Sequence, residues 1–378
     1  MAMSRYRGFF AGSLRRRWRS FSRLLRTRYP AFVFGFGRRT AHSPVFVYHE
    51  VDAAQFEADL RFLSANGYRT LSAEEFLACD GRVPGGVFLT FDDARLNFYD
   101  VAFPLLQRYG ARATVFAPTH WVGEALGDAP PGMFMGWDQL RTCARSGLVD
   151  VQAHGHRHGL IYTSARPVAF ASPSLVARHN LFDWPWRREE GEERSGAPPL
   201  GTPIYDAEPI LSAGFRLVED GRASRACQDL VAAQGGPTFF ENARATGLLR
   251  RAHAEAIRAG SRMEQVRGAA FEALVREEFE RSRDVLEGQL GEAPVLFAYP
   301  WMLGSDLSVR CAAHAGFHAV FGVGFDFGRA SRISGPMRAY GRIKGDWLRF
   351  LPGTGRRQLR GVIPERLRDF LLSQHLAH

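Results

Sequence analysis

The sequence predicts an α/β fold built around a parallel β-sheet. Short, continuous apolar runs alternate with helical patterns over residues 44–160, and the alternation resumes over residues 269–325. Unbroken apolar strands separated by amphipathic helices are typical of a parallel sheet, either open or closed into a barrel. The segment between them, at about 160–268, is rich in Pro, Gly and charge. We interpret it as an insertion, because loops of that length are uncommon in a compact domain.

Each predicted element has its own apolar pattern. The predicted strands are Pro44–Tyr48, Gly86–Phe91, Ala113–Ala117, Val149–Ala153, Val295–Tyr299 and Ala319–Val323. The predicted helices are one through Phe56 that ends at Gly67, then Val101–Tyr109, Trp137–Ala144, Ala270–Leu290 and Leu307–Ala315. Within the insertion, helical pieces are predicted over Arg222–Gln234 and Glu241–Ala259.

These elements predict three segments. Residues 1–43 form a basic N-terminal arm, and residues 44–327 form the barrel that carries the insertion. Residues 328–378 have a less regular pattern and are assigned to a C-terminal extension.

The charge of the chain is concentrated at its start. Residues 1–50 supply the whole net charge of +10, with 11 Arg against the single acid Glu50. The rest of the chain is balanced, which argues against nucleic acid as a partner. The four cysteines are widely spaced without a CxxC pair, so a zinc ribbon or finger is excluded.

The basic arm places aromatic and leucine residues at roughly helical spacing between its arginines, from Phe9 to Arg26. A basic amphipathic helix suits the surface of an anionic membrane, so residues 1–40 are predicted to associate peripherally with one. Two alternatives stay open: a disordered Arg-rich arm, and a helix that packs on the domain. The arm lacks the apolar core of a signal peptide, and we expect a cytoplasmic location.

Four residues carry the predicted chemistry. Asp92 and Asp93 end one apolar strand, while His154 and His158 follow another. Strand ends of a parallel barrel converge, so one Asp and two His can form a metal site with open coordination positions. The second Asp is then free to act as a base beside water. Each pair taken alone has a commoner structural explanation, such as a helix cap or two surface histidines.

These motifs resemble the polysaccharide deacetylase family, carbohydrate esterases with a NodB homology domain. Thr90-Phe91-Asp92-Asp93 resembles its TFDD motif, and His154 with His158 resembles its paired histidines. The stretch from Leu296 to Trp301 resembles its FAYP-type motif, and Tyr48-His49-Glu50-Val51 the YHxV opening of the poly-N-acetylglucosamine deacetylase branch. The resemblance implies a distorted (β/α) barrel of the NodB type, here with a large insertion.

The resemblance also implies roles. Asp93, His154 and His158 would hold a divalent metal, with zinc expected, and Asp92 would be the general base. The backbone N–H of Trp301, after Pro300, would stabilise the oxyanion. In the YHxV branch the histidine protonates the departing amine, which makes His49 the candidate acid; the alternative is a histidine that only hydrogen-bonds at a strand end.

Aromatic side chains could serve as platforms for a sugar. Tyr299 and Trp301 are candidates, as are Trp184 and Trp186 on the insertion, for which core packing is an equal alternative.

The match departs from the family at two places. Gly155 stands where the histidine motif usually has a hydroxyl residue, and His156 adds a third imidazole that could replace one of the two ligands. The FAYP-type motif lacks the arginine found in other deacetylases, so no arginine is assigned to orient Asp92.

The predicted function is removal of N-acetyl groups from a glycan or glycolipid by a metal-dependent hydrolase. The charge asymmetry suggests a lipid-linked sugar as substrate. Two alternatives remain: hydrolysis of another non-peptide C–N bond on the same scaffold, and a non-catalytic module that binds glycans or membranes.

Overall fold

The computed structural model describes residues 30–34, 37, 39, 41–122, 129–189, 191–327, 331–334 and 337–357. The helical pattern predicted from Phe9 to Arg26 lies outside these residues. The described chain divides into two compact units. The barrel unit contains residues 41–122, 130–157 and 276–357, and the insertion unit contains residues 158–275.

Strands and α-helices occur in both units. The strands are β1 (Val45–Tyr48), β2 (Arg69–Thr70), β3 (Gly86–Asp92), β4 (Ala113–Ala117), β5 (Val149–Ala153), β6 (Leu160–Phe170), β7 (Arg187–Glu189), β8 (Glu192–Arg194), β9 (Pro203–Pro209), β10 (Arg216–Glu219), β11 (Met263–Val266), β12 (Leu296–Ala298), β13 (Ala319–Phe327), β14 (Ser331–Ser334), β15 (Met337–Gly341) and β16 (Ile343–Lys344). The α-helices are α1 (Ala53–Ala65), α2 (Ala73–Ala78), α3 (Phe103–Tyr109), α4 (Trp137–Arg145), α5 (Pro173–Val176), α6 (Arg222–Ala233), α7 (Ala245–Arg258), α8 (Ala269–Leu290) and α9 (Asp306–His314).

The barrel unit is built on a sheet with the strand order β14-β15-β13-β12-β5-β4-β3-β1-β16. All neighbours from β15 to β16 are parallel, and β14 adds an antiparallel edge. Only Arg342 separates β15 from β16, yet β15 pairs with β13 and β16 pairs with β1. One short segment therefore bridges the two ends of the strand order and nearly closes the sheet, as the barrel prediction requires.

The interior of this sheet is aromatic and aliphatic. β3 is buried along its whole length, as expected for a strand of a parallel sheet covered on both faces. Phe76 stacks on Phe88 with ring centroids 4.4 Å apart, and Phe321 and Tyr340 pack against them. This packing fixes β3, and with it the position of Asp93, which follows that strand.

The C-terminal part is more regular than its sequence pattern suggests. The sequence predicts an extension from residue 328 onward, but β15 and β16 belong to the main sheet. The run from Met337 to Gly341 is short and broken by Arg338, which explains why its pattern is weak. The sheet therefore continues past residue 327.

The insertion unit has a core of its own. Phe170, Cys227, Val231, Phe239 and Leu249 pack together between α6 and α7, close to where helices are predicted. The antiparallel pair β6–β9 is not apparent from the sequence. Its register shifts twice, Pro167 interrupts β6, and β9 begins and ends with proline, so the alternation typical of an antiparallel pair is weakened.

Within the described residues, no helix has the length and apolar character needed to cross a membrane.

Candidate active site

Three predicted ligands meet at the carboxyl ends of the barrel strands. Asp93 follows β3, His154 follows β5, and His158 lies four residues further on. One ligand atom from each lies within 4.8 Å of the other two, and all three residues are buried. A carboxylate oxygen and two imidazole nitrogens are a donor set that suits zinc and leaves coordination positions open. The side chains present therefore fit a divalent metal.

The backbone at this cluster adopts a conformation that side chains other than glycine rarely take. Asp93 has a φ of 70°, Ala94 of 48° and His158 of 46°. Such left-handed residues cost energy and cluster at functional sites, where the surrounding structure enforces them. Gly155, with a φ of 82°, shares this conformation, which accounts for a glycine in place of the family's usual hydroxyl residue.

The hydrogen bonds of His154 and Asp93 orient their donor atoms. The Nδ1 of His154 lies 2.7 Å from the carbonyl oxygen of Ala298. A carbonyl only accepts, so Nδ1 carries the proton and Nε2 keeps its lone pair, 3.5 Å from Oδ1 of Asp93. Arg95 contacts the other oxygen, Oδ2, of Asp93 at 3.3 Å. The two atoms available as metal ligands, Nε2 of His154 and Oδ1 of Asp93, therefore face each other.

The candidate base, Asp92, is held by an arginine that was not predicted. Arg342 lies between β15 and β16, is fully buried, and donates from its two Nη atoms to Oδ1 and Oδ2 of Asp92 at 2.6 and 2.7 Å. Its guanidinium also lies 5.6 Å from the centre of the Phe116 ring. The expectation that no arginine orients Asp92 is wrong, because the closing segment of the barrel supplies one from elsewhere in the chain.

This arginine also sets the charge state of Asp92. Burial alone would raise the pKa of the carboxyl group. The Arg342 guanidinium, together with His154 and His49, outweighs burial and holds the pKa of Asp92 below its ordinary value. Asp92 is therefore ionised at neutral pH and able to accept a proton.

The loop between the two histidine ligands is clamped by Glu278 on α8. Glu278 is 1% exposed. Its Oε2 accepts the backbone N–H groups of His156 and Arg157 at 3.1 and 2.8 Å, and its Oε1 accepts from the Arg157 guanidinium at 2.7 Å. The carboxylate thus fixes both the path of the loop and the one buried cation within it.

His156 has a different environment from the two ligands. It is buried, and its Nδ1 lies 2.9 Å from the hydroxyl of Thr119. Burial, helped by the charges of Arg281 and Arg157, lowers the pKa of His156 to about 2. The cluster of donor atoms contains His154 and His158 and does not include His156. A neutral imidazole bound to Thr119 accounts for it as a structural residue.

His49 follows β1 at the edge of the same site. Its Nε2 lies 4.0 Å from Oδ2 of Asp92, and its side chain is 59% exposed. An imidazole that reaches both solvent and the candidate base can exchange protons with bulk water, as a proton donor must between turnovers.

The FAYP-type segment forms a turn after β12. Pro300–Met302 is a short 3-10 turn in which Trp301 has a φ of 51° and a ψ of 14°. Tyr299 is 1% exposed, and its ring packs edge-on against Phe297 with centroids 5.3 Å apart. The prediction that Tyr299 offers a platform for a sugar is therefore wrong, because its ring is buried in the core beneath the turn.

The two insertion tryptophans are also buried. Trp184 packs with Ala171 and Ile204, and Trp186 lies so close to Gly159 that an added Cβ there would come within 2.5 Å of its ring. For both residues, core packing is the alternative that the structure favours.

Residues 82–172 match the sequence profile of the polysaccharide deacetylase family. YxkH of Bacillus subtilis (strain 168), named as a suspected polysaccharide deacetylase, is 27% identical over 132 residues, which cover 32% of this chain and 44% of YxkH. A poly-β-1,6-N-acetyl-D-glucosamine N-deacetylase of Staphylococcus aureus (strain MRSA252) is 26% identical over 187 residues, covering 45% of this chain and 62% of the relative. The matches thus span less than two thirds of either relative.

Among solved structures, the BpsB deacetylase domain from Bordetella bronchiseptica is similar in fold, with a TM-score of 0.50 at 16% identity, covering 82% of this chain and 98% of that domain. This confirms the predicted distorted (β/α) barrel. The stretch that matches the profile contains Asp92, Asp93, His154 and His158, so the resemblance to the polysaccharide deacetylase family that the motifs predict is confirmed over residues 82–172.

Proposed function

We propose that the protein is a metal-dependent hydrolase that removes N-acetyl groups from a glycan or glycolipid. The observation that carries the proposal is the position of Asp92. An ionised carboxylate, held at both oxygens by Arg342, lies beside the Asp93–His154–His158 cluster, with 3.8 Å between its Oδ2 and Nε2 of His154. A purely binding module gains nothing from a base fixed next to three metal ligands.

Asp93, His154 and His158 would hold the metal, and zinc suits their oxygen and nitrogen donors. A bound divalent ion supplies a Lewis acid that polarises the acetamide carbonyl and lowers the pKa of water. Asp92 takes the proton from the attacking water. Arg342 keeps the carboxylate in place and charged, so that Asp92 makes this transfer without reorienting.

Two further groups complete the proposed reaction. His49 delivers a proton to the departing amine nitrogen, because its Nε2 lies near Asp92 and its ring reaches solvent. The backbone N–H of Trp301 donates to the oxyanion, in a turn whose left-handed backbone lies next to the end of β12.

The test is acetate release from N-acetylglucosamine oligomers and acetylated glycolipids, with chelated and with zinc-reloaded protein. Release that needs zinc supports the proposal and begins to identify the substrate. Release from small amides with none from N-acetyl sugars would favour hydrolysis of another C–N bond. Stoichiometric zinc binding without release from any substrate would favour a binding module.

We also propose that the basic arm, residues 1–40, binds a membrane surface. Its 11 arginines within the first 50 residues suit anionic lipids, and we propose peripheral association, with a lipid-linked sugar as substrate. Deleting residues 1–40 should leave acetate release from soluble oligomers unchanged and reduce co-sedimentation with anionic vesicles. Equal sedimentation of both forms would contradict the association.

A further inference from the structure

The insertion unit contains a large cleft that the proposed chemistry does not use. The cleft has a volume of about 1000 Å³ and is lined only by residues between Tyr162 and Glu264. Ligand sites in proteins typically occupy about 300–1000 Å³, so this cleft could hold a molecule of several sugar units. Most of its lining lies outside the stretch that matches the deacetylase family, residues 82–172.

Two buried donors in this cleft have unused hydrogen-bonding capacity. Tyr162 is 4% exposed, and its hydroxyl has no hydrogen-bond partner among the described residues. Arg216 is 3% exposed; its Nη atoms bind Glu193 and the carbonyl oxygen of Trp186, while its Nε has no partner in the described chain. Buried polar atoms are normally hydrogen-bonded, so two such donors without a partner in one cleft indicate a ligand that provides hydrogen-bond acceptors.

The protonation of these groups makes both of them donors. Burial raises the pKa of Tyr162 above its ordinary value, so the hydroxyl keeps its proton at neutral pH. An arginine Nε only donates. The complementary ligand therefore presents oxygen acceptors to the buried part of the cleft.

The rim adds positive charge. Arg225 and Arg262 line the cleft, are exposed, and form no ion pair with any described residue. Their rim neighbours Arg188 and Arg194 are already paired with Glu193 and Glu192.

The acids of the cleft offset this charge only in part. Glu219 and Asp220 accept hydrogen bonds, from Ser224 and from Arg222 respectively. Glu264 is exposed and, like Glu219, has no cationic partner among the described residues, but the lining as a whole holds six arginines against four acids. A ligand with negative charge is favoured over a neutral one.

We propose that this cleft binds an acidic saccharide, whose carboxylate or phosphate group contacts Arg225 and Arg262 and whose oxygens accept from Tyr162 and Arg216. That the ligand is a saccharide rests on the proposed deacetylase function. Its negative charge rests on the cleft alone. The cleft would then recognise a charged part of a glycan, separately from any N-acetyl group that is hydrolysed.

The experiment is calorimetric titration of the full chain with four probes: a hyaluronan tetrasaccharide, N-acetylglucosamine 6-phosphate, inorganic phosphate and a neutral N-acetylglucosamine tetramer. The first two separate a carboxylate from a phosphate source, and phosphate alone tests whether the sugar matters. We expect at least one acidic sugar to bind about tenfold more tightly than the neutral tetramer, the effect of roughly one charge-assisted hydrogen bond.

Variants locate the binding. Arg225→Gln and Arg262→Gln should each weaken acidic-sugar binding about tenfold, and Tyr162→Phe about fivefold. The matched control is Arg251→Gln, an exposed arginine on α7 that does not line the cleft and should bind as the wild type does. Because the Tyr162 hydroxyl bonds to no described group, Tyr162→Phe should not lower the free energy of unfolding.

Equal affinity for acidic and neutral probes would overturn the proposal, as would an Arg251→Gln effect as large as those at the rim. A destabilised Tyr162→Phe protein would show that the hydroxyl has a structural partner. If acetate release required zinc but the cleft variants bound acidic sugars as tightly as the wild type, only the proposed role of the cleft would be refuted. Cleft binding of acidic sugars without any acetate release would refute the proposed function alone.

Discussion

The barrel site and the insertion cleft bring together opposite kinds of buried polar atoms. At the strand ends, Asp93, His154 and His158 bring one carboxylate oxygen and two imidazole nitrogens within 4.8 Å of one another, an arrangement that suits a cation. In the insertion, Tyr162 and Arg216 each have a donor without an acceptor among the described residues, an arrangement that suits an oxygen-rich anion. The difference shows that the kind of polar atom gathered at a site indicates the charge of the ligand that binds there.

The largest expected effect tests the cation side of this comparison. Asp93→Ala removes one ligand of three, so bound zinc should fall below stoichiometric and acetate release should drop about a thousandfold or more. Zinc content is measured by elemental analysis after gel filtration. The matched control is Asp138→Ala, a solvent-exposed carboxylate on α4. Full zinc occupancy in Asp93→Ala would contradict the assigned ligand set.

The next effect concerns the buried ion pair at the barrel closure. Arg342→Lys cannot reproduce two parallel bonds to Asp92, so kcat should fall about a hundredfold with little change in KM. Unfolding should also require about 3 kcal/mol less, since the pair is completely buried.

The control for this substitution lies on the preceding strand. Arg338→Lys alters a bidentate arginine that pairs with the half-exposed Asp80, so both kcat and stability should change little. If the two variants lost activity equally, the role of Arg342 would be no more than that of any strand arginine.

A smaller effect is expected at the loop that carries the histidines. Glu278→Gln removes the charge that holds the loop, so zinc affinity should fall about tenfold to a hundredfold, as for other groups that orient metal ligands. Competition with a chelator measures the affinity. Glu277→Gln changes the neighbouring, partly exposed acid, which pairs with Nη2 of Arg157 and with Arg281 and accepts no backbone N–H of the loop among the described residues. An unchanged affinity in Glu278→Gln would remove Glu278 from the positioning of the site.

The smallest expected effect on the metal site comes from the insertion core. Leu249→Ala empties part of the cluster between α6 and α7 and should lower the free energy of unfolding by about 2–5 kcal/mol. The folded protein should still bind zinc with wild-type affinity. A parallel loss of zinc affinity would show that the packing of this core affects His158, the first residue of the insertion unit.

The parallel sheet made much of the candidate site predictable. Strands covered on both faces are unbroken apolar runs, and polar residues directly after such runs converge, so Asp92 and His154 could be placed from the sequence. Arg342 follows the same rule, since it comes directly after the run through Ala339 and Tyr340. It was missed because that strand is short and β16, which closes the barrel, has only two residues.

The insertion followed no such rule. Its strands are antiparallel and irregular, and the cleft residues come from separate stretches that no repeat or spacing connects. The Tyr162 hydroxyl lacks a hydrogen-bond partner among the described residues because of three-dimensional packing, which no sequence pattern indicates. Glu278 was hidden for a similar reason: on α8 it is one of several acids, and only burial distinguishes it from Glu277.

The most direct test of the central claim is to measure zinc content and acetate release together in Asp92→Asn. Asp92 lies beside the ligands and is not one of the three, so the variant should keep stoichiometric zinc and lose acetate release by about a thousandfold. That result would separate the base from the metal site, as the geometry predicts. Full acetate release by zinc-loaded Asp92→Asn would contradict the account.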